Sequence, residues 1–180
     1  VEKNGPSDKG EYHMSRGYNR SAHTSKAHVL FRKASEQGIL TIGIGDLGNE
    51  IGMGKIRDVV HQLLPVSVKC KCPCGAGSAD STIVDVLIPA EISNWGAYGI
   101  AACMSALLGR PEIMHDGDAE SRMLVAAAAA GGQDGVTSLV EPSSDGVPEK
   151  LQVALVEMLR GIASLPVFYA SQPPFYYGLE

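Results

Sequence analysis

The run from Thr41 to Gly54, Thr-Ile-Gly-Ile-Gly-Asp-Leu-Gly-Asn-Glu-Ile-Gly-Met-Gly, constrains this chain more than any other feature. Five glycines and three polar side chains, Asp46, Asn49 and Glu50, sit between two apolar patterns. Ahead of them, Ile39 to Ile44 is short and β-branched, the pattern of a buried strand. Behind them, Ile51, Ile56, Val59, Val60, Leu63 and Leu64 fall on one face of a helix that ends at Pro65. The glycines therefore occupy a strand-to-helix turn. In open α/β sheets ligands bind there, outside the carboxyl ends of the strands.

Glycine lets main chain approach a ligand closely, and a helix N-terminus offers N–H groups and a positive dipole end to an anion. A phosphate or carboxylate cradle is the simple reading. Gly43, Gly45 and Gly48 match G-x-G-x-x-G, but no acidic residue follows about 20 residues on at a second strand end, as a dinucleotide site needs. No Lys-Ser/Thr pair follows the glycines, so this is not a Walker loop. The two carboxylates make sense beside such a cradle if they bind a divalent cation or an ammonium, or if one carries protons. The plainer alternative is a structural turn with capping Asp and Asn.

The rest of the chain alternates in the same way. A helix is expected from Lys26 to Gln37, with Val29, Leu30 and Ala34 inward and Gly38 as its stop. Val66 to Lys71 reads as a second strand, Gly75 to Ser81 as a loop of small residues, and Thr82 to Ile88 as a third strand interrupted by Asp85. Helices follow at Ala97–Leu108, buried on several sides, at Asp118–Ala130, and at Glu149–Arg160 behind Pro148. In the N-terminal stretch only Glu11 to Ser15 has strand character. The expected fold is α/β: a three-layer, Rossmann-like open sheet, mostly parallel, flanked by helices, in a single domain over residues 1–180. Residues 166–180, rich in proline and aromatics, are expected to strap across a surface.

Asn94 and Trp95 follow the third strand, so they too belong at the carboxyl edge, where an amide can bind a ligand carboxylate and an indole can wall a pocket. Taken alone, a capping Asn and a buried aromatic are the favoured explanation, and the site reading gains weight because two strand ends carry polar groups toward one edge. Gln133 to Thr137 and Glu141 to Gly146 hold two Asp-Gly pairs, which are turn signals first, although Asp134, Thr137, Glu141 and Asp145 could also close over a site. The histidines stand singly: His61 on an exposed helix face, His115 beside Asp116, and His13 as the one to test as acid or base. Cys70, Cys72 and Cys74 lie too close together for the usual C-x-x-C zinc spacing, and Cys103 lies in an apolar helix. Structural or surface thiols are the favoured reading, with a metal or redox role as the alternative.

A net charge of −5 without a basic stripe argues against nucleic acid as a partner, and no apolar run reaches the length of a membrane span. The expected setting is soluble and intracellular, in the cytoplasm or the mitochondrial matrix, because unpaired thiols at this density suit a reducing compartment.

At this point the motifs resemble a known family. Gly43 to Gly54 resembles the G-I-G-D-G-G-N-E-I-G-M-G signature of the D-glutamate cyclase C-terminal domain family, which has glycine where this chain has Leu47. Ser93-Asn-Trp-Gly-Ala-Tyr98 resembles its S-N-W-G-x-Y element, Asp134 to Thr137 with Asp145-Gly146 resembles its D-G-V-T and later D-G, and Gly10-Glu-Tyr-His also fits. The resemblance implies the downstream part of such a domain, and a lyase that converts D-glutamate to 5-oxo-D-proline and water. It implies Asp46 and Glu50 as catalytic groups or ligands of a divalent metal ion (Mg or Mn), and Gly45, Gly48, Asn49, Asn94 and Trp95 as substrate contacts. The implied partner is a small amino acid, with a homo-oligomer as a further expectation. The alternatives are a non-catalytic nucleotide- or carboxylate-binding module, or a piece of a larger enzyme that is inactive alone.

Overall fold

The computed structural model describes residues 3–165, so the expected strap over 166–180 lies outside the described residues. The fold mixes helices with a small parallel sheet. In chain order it runs α1 (His28–Glu36), β1 (Ile42–Gly45), a 3-10 turn (Met53–Ile56), α2 (Arg57–Leu63), α3 (Pro65–Val68), β2 (Val86–Pro89), α4 (Ser93–Leu108), α5 (Gly117–Ala129), the short strands β3 (Ser143–Ser144) and β4 (Val147–Pro148), and α6 (Glu149–Ala163). The chain divides within α4 into two compact units, one ending at Ala97 and the other beginning at Tyr98.

In the first unit, β1 and β2 pair in parallel, from Ile42 opposite Val86 to Gly45 opposite Pro89, with α2 and α3 in the crossover. The polar break at Asp85 sets where this pairing starts. Its carboxylate accepts the Thr41 N–H at 2.8 Å and the Thr41 hydroxyl at 2.7 Å, closing the end of the ladder. Among the described residues the parallel sheet has these two strands, so the alternation of strand and helix is realised on a smaller scale than a three-layer sheet.

α1 stops where the sequence says it should. Gly38 takes a positive φ of 69°, its N–H reaches the Ser35 carbonyl at 3.0 Å, and the Ile39 N–H reaches Ala34 at 2.9 Å, which together make a Schellman turn. Leu30, expected to face inward, is 70% exposed. Asp116 caps α5 by accepting the Ala119 N–H at 2.8 Å. The strand expected over Val66–Lys71 is absent, and its first residues are the single turn α3. Pro65 at the first helical position sets that turn, and the buried Ser67 hydroxyl closes it on the Leu64 carbonyl at 2.6 Å. These local forces override the β preference of Val66 and Val68. α4 begins at Ser93, four residues earlier than expected, and is less buried than expected: Leu107 is 85% exposed.

Met53, Val60 and Ala79 form the apolar core beneath the β1–α2 turn, with Ile56, Leu64 and Leu87 packed against it. The N-terminal segment lies antiparallel along the turn. The Gly5 N–H donates to the Asn49 carbonyl at 2.8 Å, and the Ile51 N–H donates to Lys3 at 2.9 Å. In the second unit α5 packs on α6, where Gly117 admits Glu157: its N–H bonds the carboxylate at 2.5 Å, and a Cβ there would sit 2.8 Å from Val153 Cγ1.

Candidate functional site

β1 delivers its polar turn to the carboxyl end of the parallel pair. Gly45 ends the strand, and Asp46 follows half-buried, lining an open hollow with Gly45, Pro89, Ala90 and Glu91. The hollow spans the ends of both strands, the position that strand-end logic picks out. Asp46 Oδ2 accepts the Ser93 hydroxyl at 2.6 Å, so the first residue of α4 is tied to the first residue after β1. The two strand ends that carry polar groups are thus joined directly. Ser93 and Glu91 were not among the expected site residues; Ser93 opens the Ser93–Tyr98 motif, and the one signal for Glu91 was its position after the strand that ends at Pro89.

The other turn residues are used differently. Glu50 is buried, and its Oε2 accepts the Gly48 N–H at 2.8 Å and the Leu47 N–H at 3.3 Å. It holds the turn's backbone from within. Asn49 is buried too, and its amide donates to the His13 carbonyl at 2.9 Å, while its Oδ1 finds no protein partner. Gly48 carries the positive φ, 88°, and Gly52 a second, 105°; Leu47 carries none. The leucine in place of the family glycine is therefore accommodated, with its side chain half in solvent. Asn94 and Trp95 lie half-buried in the first turn of α4, beside Ser93.

Asp80 locks the far side of the turn. It is fully buried, accepts the Gly52 N–H at 2.9 Å, and sits where a Cβ on Gly5 would have to go. Burial pushes its carboxyl up to about 6, against the opposing hydrogen bonds from Thr82, Gly52 and Gly54.

As a divalent-metal site the turn is poorly furnished. Glu50 already accepts two N–H groups, and neither it nor Asp46 belongs to a cluster of three or more acidic, His or Cys ligand atoms among the described residues. The chain does gather metal-binding side chains elsewhere. His13, Cys70, Cys72 and Cys74 bring their ligand atoms within 4.8 Å of one another. His13 is buried, with Nε2 at 3.3 Å from both the Cys72 and Cys74 sulfurs. Spacing along the chain could not reveal this group, because the histidine lies 59 residues before Cys72.

The Asp-Gly cluster of the second unit is a built turn. Asp134 Oδ1 accepts the Val136 and Thr137 N–H groups at 2.8 Å, and Oδ2 accepts the Ser143 hydroxyl at 2.6 Å and the Gly146 N–H at 2.9 Å. Desolvation would raise this carboxyl, but the hydrogen bonds outweigh it and hold it at about 2. His115 pairs with the buried Glu120 at 2.8 Å rather than with Asp116, and Glu120 also accepts the Tyr98 hydroxyl at 2.6 Å.

A strand-to-helix turn with an acidic rim, set at the end of a parallel pair, defines a mixed α/β protein built on the architecture that commonly presents ligand sites. The family described as D-glutamate cyclase-like, C-terminal matches residues 1–160, and the chain belongs to that family. It is also 31% identical over 108 residues to a human (Homo sapiens) protein named "D-glutamate cyclase, mitochondrial"; the match covers 59% of this chain and 16% of that protein. The chain thus matches about a sixth of that relative's length. No helix among the described residues is long and apolar enough to cross a membrane.

Proposed function

We propose that this chain forms part of a lyase that closes D-glutamate into 5-oxo-D-proline with loss of water. The observation that carries the reading is Asp46, held by Ser93 at the hollow between the two strand ends. The family membership and the human relative's name supply the substrate class. The α-ammonium of the substrate must lose a proton before its nitrogen attacks the side-chain carboxyl carbon. One C–N bond then forms, one C–O bond breaks, and the oxygen leaves as water. In this reading Asp46 takes the ammonium proton. Backbone N–H groups of the glycine turn and the amide of Asn94 are suited to holding the substrate carboxylates, and holding a flexible chain curled contributes an orientation gain. Glu50 acts by fixing the turn through the Leu47 and Gly48 N–H groups.

In the same reading β1 and β2 belong to a wider, mostly parallel, three-layer open sheet of the complete domain, and the enzyme works in the cytoplasm or the mitochondrial matrix. The test uses full-length protein with D- and L-glutamate, followed by chiral mass spectrometry of 5-oxoproline. Product is expected from D-glutamate, and Asp46→Asn is expected to cut kcat/KM by roughly 100-fold or more with the melting temperature kept. No product from the wild-type protein, or undiminished turnover in Asp46→Asn, overturns the assignment. A melting temperature raised by nucleotides and unmoved by glutamate would favour a binding module instead.

A further inference from the structure

We propose that His13, Cys70, Cys72 and Cys74 bind one zinc ion that ties the N-terminal segment to the loop after α3. The four ligand atoms form a compact cage: Cys70–Cys72 3.1 Å, Cys70–Cys74 3.4 Å, Cys72–Cys74 3.0 Å, and His13 Nε2 3.3 Å from each of Cys72 and Cys74. Zinc–sulfur and zinc–nitrogen bonds of about 2.3 and 2.0 Å put tetrahedral ligand atoms about 3.5–3.8 Å apart. To take the ion the sulfur–sulfur separations would widen by about 0.4–0.8 Å and the two short His13–sulfur separations by about 0.2 Å, within a group whose ligand atoms all lie within 4.8 Å of one another. Three thiolates and one imidazole are a borderline-soft donor set that selects zinc over magnesium or calcium. With four protein ligands no coordination position is left for water, which is the pattern of a structural site. The thiols are not joined as disulfides, and three of them cannot all pair.

The surroundings are built to the same end. The Lys71 N–H donates to the Gly17 carbonyl at 2.9 Å, and Lys9 Nζ donates to the Cys74 carbonyl at 2.8 Å, so a main-chain bond and a side-chain bond already join the two segments around the thiols. Binding releases the three thiol protons and leaves a single net negative charge on the centre, with Lys9, Lys69 and Lys71 along the same two segments to offset it. The His13 carbonyl accepts the Asn4 amide at 2.6 Å and the Asn49 amide at 2.9 Å, so the ion braces the β1–α2 turn from behind.

The experiment is metal analysis of the full chain, purified without chelator under reducing conditions, followed by exchange with cobalt. About one zinc per chain is expected, and the cobalt form should show thiolate charge-transfer absorption and the visible bands of a tetrahedral centre. His13→Ala and Cys72→Ser should each weaken zinc binding by more than about 100-fold, since loss of a direct ligand exceeds loss of an outer partner. His13→Cys should keep the metal and strengthen the charge-transfer band, so a variant that remains folded decides the matter if the others do not. Less than about a tenth of a zinc per chain after zinc dialysis, cobalt spectra without thiolate bands, or unchanged zinc affinity in folded His13→Ala and Cys72→Ser would each overturn the proposal.

Discussion

Replacing Gly48 by alanine tests whether the β1–α2 turn is built as described. Gly48 holds a φ of 88°, which costs an L-residue about 1–2 kcal/mol. The added Cβ would also lie well inside van der Waals contact of Val60 Cγ1, with Cγ2 at 3.3 Å and Cβ at 3.4 Å. Val60 is a core residue that cannot swing into solvent, and overpacking of this kind costs about 1–3 kcal/mol. The expected total is about 2–5 kcal/mol, a large part of a small domain's stability of about 5–15 kcal/mol. Val60→Ala alone should cost about 2 kcal/mol through the cavity it leaves. In that background Gly48→Ala should cost only the backbone part, giving a coupling of about 1–3 kcal/mol between the two sites. Urea denaturation followed by the fluorescence of Trp95, the chain's single tryptophan, measures all four proteins. If Gly48→Ala costs the same with and without Val60, the steric argument is wrong. If it costs less than about 0.5 kcal/mol in the wild-type background, the conformational argument fails as well.

Two further predictions concern pH. The Asp80 carboxyl sits at about 6 in the folded chain, above its ordinary 3.8, so the folded state retains a proton that the unfolded state has already lost. Stability contributed by this group should therefore fall as pH rises from about 4 to 6, by about 3 kcal/mol, and Asp80→Asn should remove that part of the pH dependence; equal pH slopes for both proteins would refute it. Asp134 has the opposite sign. Held at about 2, it stabilises the fold above its unfolded value of 3.8, and that contribution disappears as pH falls through 2. Asp134→Ala should lower stability by roughly 1–2 kcal/mol at pH 6 and by progressively less toward pH 2.5, read by denaturant midpoints at each pH, and a pH-independent loss would show that the turn is held by something else.

What the sequence made legible was local. The stop at Gly38 and the strand–turn–helix order around Asp46 each arise from residues within a few positions of one another, and each is found in the structure. The readings that failed depended on distant contacts or on competing local forces. Val66 and Val68 promised a strand, but Pro65 and Ser67 imposed a helical turn. The grouping of His13 with Cys70, Cys72 and Cys74 was not legible in the Cys-x-Cys-x-Cys spacing, because the histidine arrives from far upstream. At the candidate site, Asp46 was placed at the strand end as expected, whereas the burial of Glu50 and Asn49 depends on residues 3–13 and Asp80, which no pattern within the turn could announce.

The His13 carbonyl oxygen, shared by the amides of Asn4 and Asn49, has a consequence for anyone who wishes to transplant this loop. The peptide from Gly43 to Gly54 is not a portable cassette. Its shape is enforced by the N-terminal segment, by a carboxylate 26 positions after Gly54 in Asp80, and by the valine beneath Gly48. A graft that carries only the contiguous motif should be limp in a foreign scaffold, and one that also brings residues 3–13, Val60 and Asp80 should keep its form.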